Sequence, residues 1–334
     1  MGLIRGIADT TSDHRVIKVG ADYLRIRYPK AESRMSSVSA KADEIPDSEV
    51  YGIFESKAKY LEALKLLMMS TLDTEHKYEV FVRGILPRIA AANSAAETKD
   101  LNFFTDTIQN IISSAFTKLF YSKSEKIFFQ NFLDIGIGSG SFTMELGKYF
   151  NNITVVDNSF DILNQLPEQL LDRPIHKILG HIEDTSLNIY GIKYDLILLS
   201  HVIYYLEKDE LLPLLKRLYN QLTKNGAIVI AFNDEGDRKE LQKHFGSKDD
   251  KCGFLQNEVP QNFDKVTLYR IDEFLDGGSI AAMKHIAGIA LNDAGVIATN
   301  KELTEYLGSN FCPNDLCQLS MVQNIMVIGD INDY

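Results

Sequence analysis

The stretch NFLDIGIGSGSFTMELGKYFNNITVVDN runs from Asn131 to Asn158. Phe132 and Leu133 end an apolar run that reads as a buried strand. The pattern then changes to Asp134-Ile-Gly136-Ile-Gly138-Ser-Gly140, and helical spacing resumes at Phe142, Leu146 and Phe150. The order is strand, glycine turn, helix. Glycines at three alternate positions let the backbone turn tightly and approach a ligand closely, because a Cβ there would collide with it. A second strand, Ile153 to Val156, ends in Asp157, where a carboxylate can accept hydrogen bonds from two ribose hydroxyls. The segment therefore predicts a nucleoside pocket, with Asn158 beside the ribose-binding acid.

The spacing discriminates between nucleosides. A dinucleotide fingerprint is G-x-G-x-x-G with pyrophosphate on the helix N-terminus, whereas this run is D-x-G-x-G-x-G. Asp134 in front of the turn would repel phosphate and attract an amino group, which favours the methionine end of S-adenosylmethionine over NAD. The motif resembles the first motif of the Rossmann-like (class I) S-adenosylmethionine-dependent methyltransferases. That resemblance implies a doubly wound sheet of seven strands. It also implies a cofactor set of Asp134, Gly136, Gly138, Gly140, Asp157, Asn158, Ile182, Glu183 and Ser200, with Ile182 and Glu183 near the adenine.

The chain of 334 residues is long enough to bury a full core, with 45% apolar and 24% charged residues as in an ordinary globule. A formal charge of −11 disfavours nucleic acid and anionic membranes as partners, since both reward clustered Lys and Arg. A small, cationic substrate suits it better, and a monomer is expected. The three cysteines, Cys252, Cys312 and Cys317, have no metal spacing and no even disulfide set, which points to a reducing compartment. With neither a signal-peptide h-region nor an apolar run of membrane-spanning length, the reading is cytoplasmic. His76, His176 and His181 have no partner at ligand spacing, so no metal is expected.

Along the chain, residues 1–46 read as an N-terminal extension or lid, with a hairpin at Arg15–Val19 and Tyr23–Tyr28 and a solvated linker from Ser33 to Pro46. Residues 47–334 read as one methyltransferase domain. Its first part, 47–125, is a helical cap with apolar stripes at Tyr60, Leu61, Leu64, Leu67 and Met68, at Tyr78 to Leu86, and at Ile108 to Leu119. The Rossmann-like core is 126–334. In it, a helix at Ile162–Leu171, a strand at His176–Leu179, the apolar strand Tyr194–Ser200, a helix at Glu210–Leu222, a strand at Ala227–Phe232 and a last strand at Met321–Ile328 alternate as a doubly wound sheet should. Antiparallel additions are expected at its C-terminal edge.

The strand Tyr194–Ser200 delivers Ser200, His201, Tyr204 and Tyr205 at its carboxyl end, where an open α/β sheet binds ligands. These residues, with Thr74-Glu75-His76, Leu86-Pro87 and the segment Gly236 to Gly246, resemble histamine N-methyltransferases from about Tyr51 to Ile328. In that family the glutamate of the Thr-Glu-His segment holds the amine, which implies that role for Glu75. The polar residue before the Tyr-Tyr pair also contacts substrate, which implies His201 with Tyr204 and Tyr205. The departures are about 30 extra residues between Leu86-Pro87 and the glycine loop, and Ile162 where a polar cofactor contact is expected. The implied reaction is direct methyl displacement onto a small amine, with His201 as base and Tyr204 beside the transferred group. Methylation of a peptide or an oxygen nucleophile, a silent cofactor-binding module and a nicotinamide oxidoreductase remain open alternatives.

Overall fold

A computed structural model describes residues 14–19, 22–27, 31–70, 85–86, 129–248, 250–313 and 317–329. The Thr74-Glu75-His76 segment and the stripe at 108–119 lie outside the described residues. Within them the chain forms a hairpin of β1 (His14–Val19) and β2 (Asp22–Arg27), helix α1 (Ala31–Ala42), β3 (Val50–Tyr51) and α2 (Lys57–Ser70). The core then alternates. It runs β4 (Phe129–Ile135), α3 (Ser141–Leu146), β5 (Phe150–Asp157), α4 (Phe160–Gln165), β6 (Gln169–Leu170), β7 (Arg173–Leu179), β8 (Tyr194–Ser200), α5 (Lys208–Tyr219) and β9 (Leu222–Glu235). Helices α6 (Asp237–His244) and α7 (Lys251–Asn262), β10 (Val266–Asp276), α8 (Ile280–Asp293), β11 (Ala298–Thr299), α9 (Asn300–Asn310) and β12 (Gln318–Gly329) complete it.

The main sheet runs β10-β12-β9-β8-β4-β5-β7-β6. Seven long strands form the expected Rossmann-like sheet, and the two-residue β6 adds a short outer edge. The five strands from β9 to β7 are parallel. Of the expected antiparallel additions only β12 fits: it runs antiparallel to both β9 and β10, so β10 points the same way as the central strands. Strand order reverses between β4 and β8, which share the register Asp134↔Leu198. That switch point is where a ligand crevice opens outside the carboxyl ends.

Two apolar layers cover the sheet. On one face Leu146 of α3, Leu163 of α4 and Leu166 just after it pack on Phe132, Phe150 and Leu198. On the other, Leu211, Leu214, Leu215 and Leu218 of α5 and Leu255 and Val259 of α7 pack on Leu133, Ile197 and Ile230. Buried on both sides, β8 shows no alternation. At the amino ends of the strands Asp195 accepts hydrogen bonds from the Gln130 and Asn131 amides (2.7 and 3.0 Å) and from Thr223 Oγ1 (3.0 Å). One carboxylate thus ties β4, β8 and β9 together.

Several local expectations change. The helix after the glycine turn ends at Leu146 in a 3-10 turn, and Phe150 starts β5. The helical stretch expected over Ile162–Leu171, with a restart or kink at Pro167, is a helix only as far as Gln165: Pro167 has no N–H to continue it, and no helix restarts as far as Leu171. The segment read as a solvated linker is α1, whose Val38 and Ala42 are buried against Leu66, Met283 and Ile286. Cys312 and Cys317, five residues apart just before β12, form a disulfide where the cysteine count gave none, and Cys252 is buried and free. Among the described residues no helix is long and apolar enough to cross a membrane.

Candidate active site

A cavity of about 710 Å³ opens at the carboxyl ends of β4, β5, β8 and β9, and α2 and the segment Ile53–Lys57 wall its far side. Asp134, Gly136, Gly138, Asp157, Asn158, Ile182, Glu183 and Ser200 all line it, as do His201 and Tyr205.

Asp134 is 1% exposed and accepts a 2.6 Å hydrogen bond from Thr143 Oγ1 in α3. Burial pushes its carboxyl up to about 7, against the pull of Thr143, and the nearby Asp157 adds to the rise. Asp195 one strand away collects three donors. Asp134 has a single protein donor among the described residues and faces the cavity. A buried acid left with spare acceptor capacity at a cavity wall fits a positively charged ligand group.

Asp157 closes β5. Its Oδ1 accepts from the Ser159 amide at 2.8 Å. Burial raises its carboxyl, opposed by Ser159, by the Lys57 ammonium and by the Ile137 and Gly138 amides of the glycine turn. The two acids thus bracket that turn.

The glycines act through conformation more than through ligand clearance. Gly136, Gly138 and Gly140 have φ of +68°, +53° and +73°, in the left-handed region that L-residues avoid. A Cβ on Gly136 would meet Val202 Cγ2 at 2.5 Å, and one on Gly140 would meet Leu166 Cδ2 at 2.4 Å. Collision would therefore come from the protein's own side chains. Gly140 caps α3 and does not line the cavity.

At the other end, Tyr205 donates to Asp293 Oδ1 at 2.5 Å, and Asn292 Nδ2 donates to Tyr205 Oη at 3.2 Å. Asp293 Oδ2 pairs with Arg238 Nη2 at 2.5 Å. Burial raises the Asp293 carboxyl against the pull of Arg238 and Tyr205, and burial with Asp293 drives the Tyr205 hydroxyl far up. Tyr60 on α2 bonds to Tyr205, and burial pushes its hydroxyl up to about 12. A chain of polar groups thus runs from the cap helix to α8 and α6.

His201 has φ +56°, and its amide donates to Ala231 O at 2.9 Å. A non-glycine residue held there marks strain at a ligand crevice. Its Nε2 faces Gln323 Nε2 at 3.2 Å, and Nδ1 lies 3.5 Å from Tyr204 Oη. The Gln323 amide only donates, so as drawn the ring carries its proton on Nδ1.

Tyr204 departs from expectation. It is 7% exposed and does not line the cavity; its hydroxyl accepts from the Asn233 amide at 2.6 Å behind His201. Adjacent residues of the 3-10 turn Ile203–Tyr205 point different ways, so one tyrosine enters the core and the other the cavity. Glu75 lies outside the described residues.

Tyr60, Arg238, Asn233, Asn292 and Asp293 were not singled out as site residues from the sequence, yet all line the cavity. One signal existed for Asp293. It ends a mainly apolar helix, IAAMKHIAGIALND, whose one other charge is Lys284, and a buried charge on such a helix needs a partner. Arg238 lies in a run of charges with nothing to mark it.

Part of the chain is similar to known proteins. Residues 132–226 match the family model described as a methyltransferase domain. A malonyl-[acyl-carrier protein] O-methyltransferase of Priestia megaterium (strain DSM 319 / IMG 1521) is 28% identical over 130 residues, covering 38% of this chain and 46% of that protein. A carboxy-S-adenosyl-L-methionine synthase of Ruthia magnifica subsp. Calyptogena magnifica is 26% identical over 165 residues, 45% of this chain and 68% of the relative. The chain thus matches about half the length of the first relative and two thirds of the second. A solved S-adenosylmethionine-dependent methyltransferase from Clostridium acetobutylicum ATCC 824 is 14% identical, with TM-score 0.32, covering 66% of this chain and 99% of that one. The matched stretch, residues 132–226, runs from within β4 through β5 and β8, and it is in this stretch that the chain is similar to methyltransferase domains.

Proposed function

We propose that this protein transfers the methyl group of S-adenosylmethionine to a small amine by direct displacement. The observation that carries the donor assignment is Asp134, a buried acid with one protein donor on the same cavity as Asp157 and the glycine turn. Asp134 would hold the cofactor's ammonium, Asp157 with Asn158 its ribose, and Ile182 with Glu183 its adenine, while Ser200 lies toward the sulfur. S-adenosylmethionine supplies an electrophilic methyl on a positively charged sulfur.

The protein's own part is positioning and proton removal. Transfer needs a neutral nitrogen lone pair in line with the S–CH₃ bond at about 3 Å, and holding that geometry supplies much of the acceleration. The N–C bond forms as the S–C bond breaks, and that bonding pair stays on sulfur. The proton leaves the nitrogen by way of Tyr205 Oη to water, while Asp293 stays ionised beside Arg238 and holds the phenol in place. His201, with Nε2 against Gln323, orients the acceptor, and Tyr204 steadies the imidazole from behind. Glu75 takes the amine anchor that the resemblance to histamine N-methyltransferases implies.

Lining of the cavity by Phe54, Lys57, Tyr60, Leu64 and Leu67 supports a cap within 47–125 over a core of 126–334, preceded by an extension of 1–46. A second reading is favoured by Arg238: a guanidinium on the wall suits a carboxylate, and one relative's name is that of an O-methyltransferase. A labelled-cofactor screen over imidazole amines, other biogenic amines, phenols, carboxylic acids and peptides separates the two. Base-stable label on an amine is expected; base-labile methyl ester alone would sink the amine reading.

A further inference from the structure

Arg238 and Asp293 sit on two different helices, with side chains 5% and 7% exposed, and meet at 2.5 Å where both reach the cavity wall. As a means of joining α6 to α8 such a pair is poor, since apolar residues of similar volume hold helices as well or better once desolvation is counted. Its position on the cavity gives it another use. The wall next to it is apolar, with Ile289 and Met321. Asn233 on the same wall is 8% exposed, and its Oδ1 has no hydrogen-bond partner among the described residues.

A guanidinium has five donors, and Asp293 engages Nη2. The region thus offers a fixed cation, a fixed anion and an unanswered amide oxygen within one desolvated pocket. Resting on the donor assignment above, we infer that the methyl acceptor is a zwitterion, an amino acid or close derivative, with its carboxylate on Arg238 and its N–H groups on Asp293 and Asn233 Oδ1. A ligand with both charges adds none to the buried site. An amine alone leaves an unbalanced cation beside Arg238, and an acid alone leaves an unbalanced anion beside Asp293; a buried unbalanced charge is what such a pocket tolerates least. Both anchoring charges persist through transfer when the methylated nitrogen belongs to the side chain.

The test uses matched triads in a labelled-methyl assay: each natural amino acid, its decarboxylated amine and its deaminated acid, for example histidine, histamine and imidazolepropionate. S-adenosylhomocysteine is titrated in parallel. At least one amino acid is expected to exceed both of its partners tenfold or more in kcat/KM, with Arg238→Gln cutting that preference below threefold while cofactor affinity holds. Equal or better turnover of the amine, methyl-ester formation on the acid, or no turnover of any amino acid by protein that binds S-adenosylhomocysteine overturns the inference. Failure to bind S-adenosylhomocysteine at all would instead overturn the donor assignment. The preference of the unsubstituted protein decides the matter even if Arg238→Gln does not fold.

Discussion

Tyr205 donates a 2.5 Å hydrogen bond to Asp293, joining the turn after β8 to the last residue of α8. Tyr60 of α2 bonds to the same phenol. Tyr205 therefore stands where α2, the turn after β8 and the buried ion pair meet. Tyr205→Phe keeps the ring and removes only the hydroxyl. The expected outcome is a fall in kcat of about 100-fold, within the usual range for a lost proton-transfer group, with S-adenosylhomocysteine affinity within about twofold. Calorimetric titration beside steady-state kinetics checks it; a parallel loss of cofactor affinity would show that the residue holds the fold of the pocket instead.

Asp134 couples cofactor binding to pH. Its carboxyl titrates near 7 in the empty site because burial disfavours the anion, and a cationic ligand must meet it ionised. Binding then releases a proton, and affinity falls by up to about tenfold per pH unit below 7. Stability of the empty protein has the opposite sign. The folded carboxyl holds its proton up to about 7 and the unfolded one only to about 3.9, so this group's contribution declines as pH rises from 4 to 7. Asp134→Asn should flatten both profiles and weaken the cofactor. An unchanged pH dependence of the dissociation constant in that variant would refute the assignment.

The glycines of the turn should differ in what a methyl group does to them. Gly136→Ala places a Cβ at 2.5 Å from Val202 and at φ +68°, whereas Gly138→Ala has 3.5 Å to Leu64. Denaturant titration should give a loss of about 2–4 kcal/mol for the first. The second should lose about 1–2 kcal/mol, the cost of the left-handed backbone alone. Equal losses would mean that Val202 moves aside.

Donor and acceptor contacts should separate by mutation. Asp157→Ala removes a carboxylate that accepts charged-group hydrogen bonds worth about 1.5–3 kcal/mol, so cofactor affinity should drop about 10- to 100-fold. Glu75→Gln should leave that affinity alone and raise the acceptor KM. Cofactor loss of the same size in both would contradict the division.

Much of this was legible in residue order. Asp134 to Gly140, followed at strand spacing by Asp157, marks a strand, a left-handed turn and a second strand, because glycine adopts those dihedrals at least cost and runs such as Leu196 to Leu199 suit a parallel strand buried on both faces. Periodicity misread α1, since its stripe of Val38 and Ala42 is too sparse to stand out until α2 and α8 supply the surface that buries it.

The sequence by itself determined the strand, glycine turn and acid from Asp134 to Asp157, because they are consecutive and local sterics dictate their shape. Only the tertiary structure decided the opposite wall of the cavity. Tyr205 stood out at the end of its strand, but Tyr60, Arg238 and Asp293, which meet it, come from three other segments that nothing local selects. They meet because α2, α6 and α8 bury their apolar stripes around the same sheet edge, and that packing brings a cation and an anion together in one dry pocket.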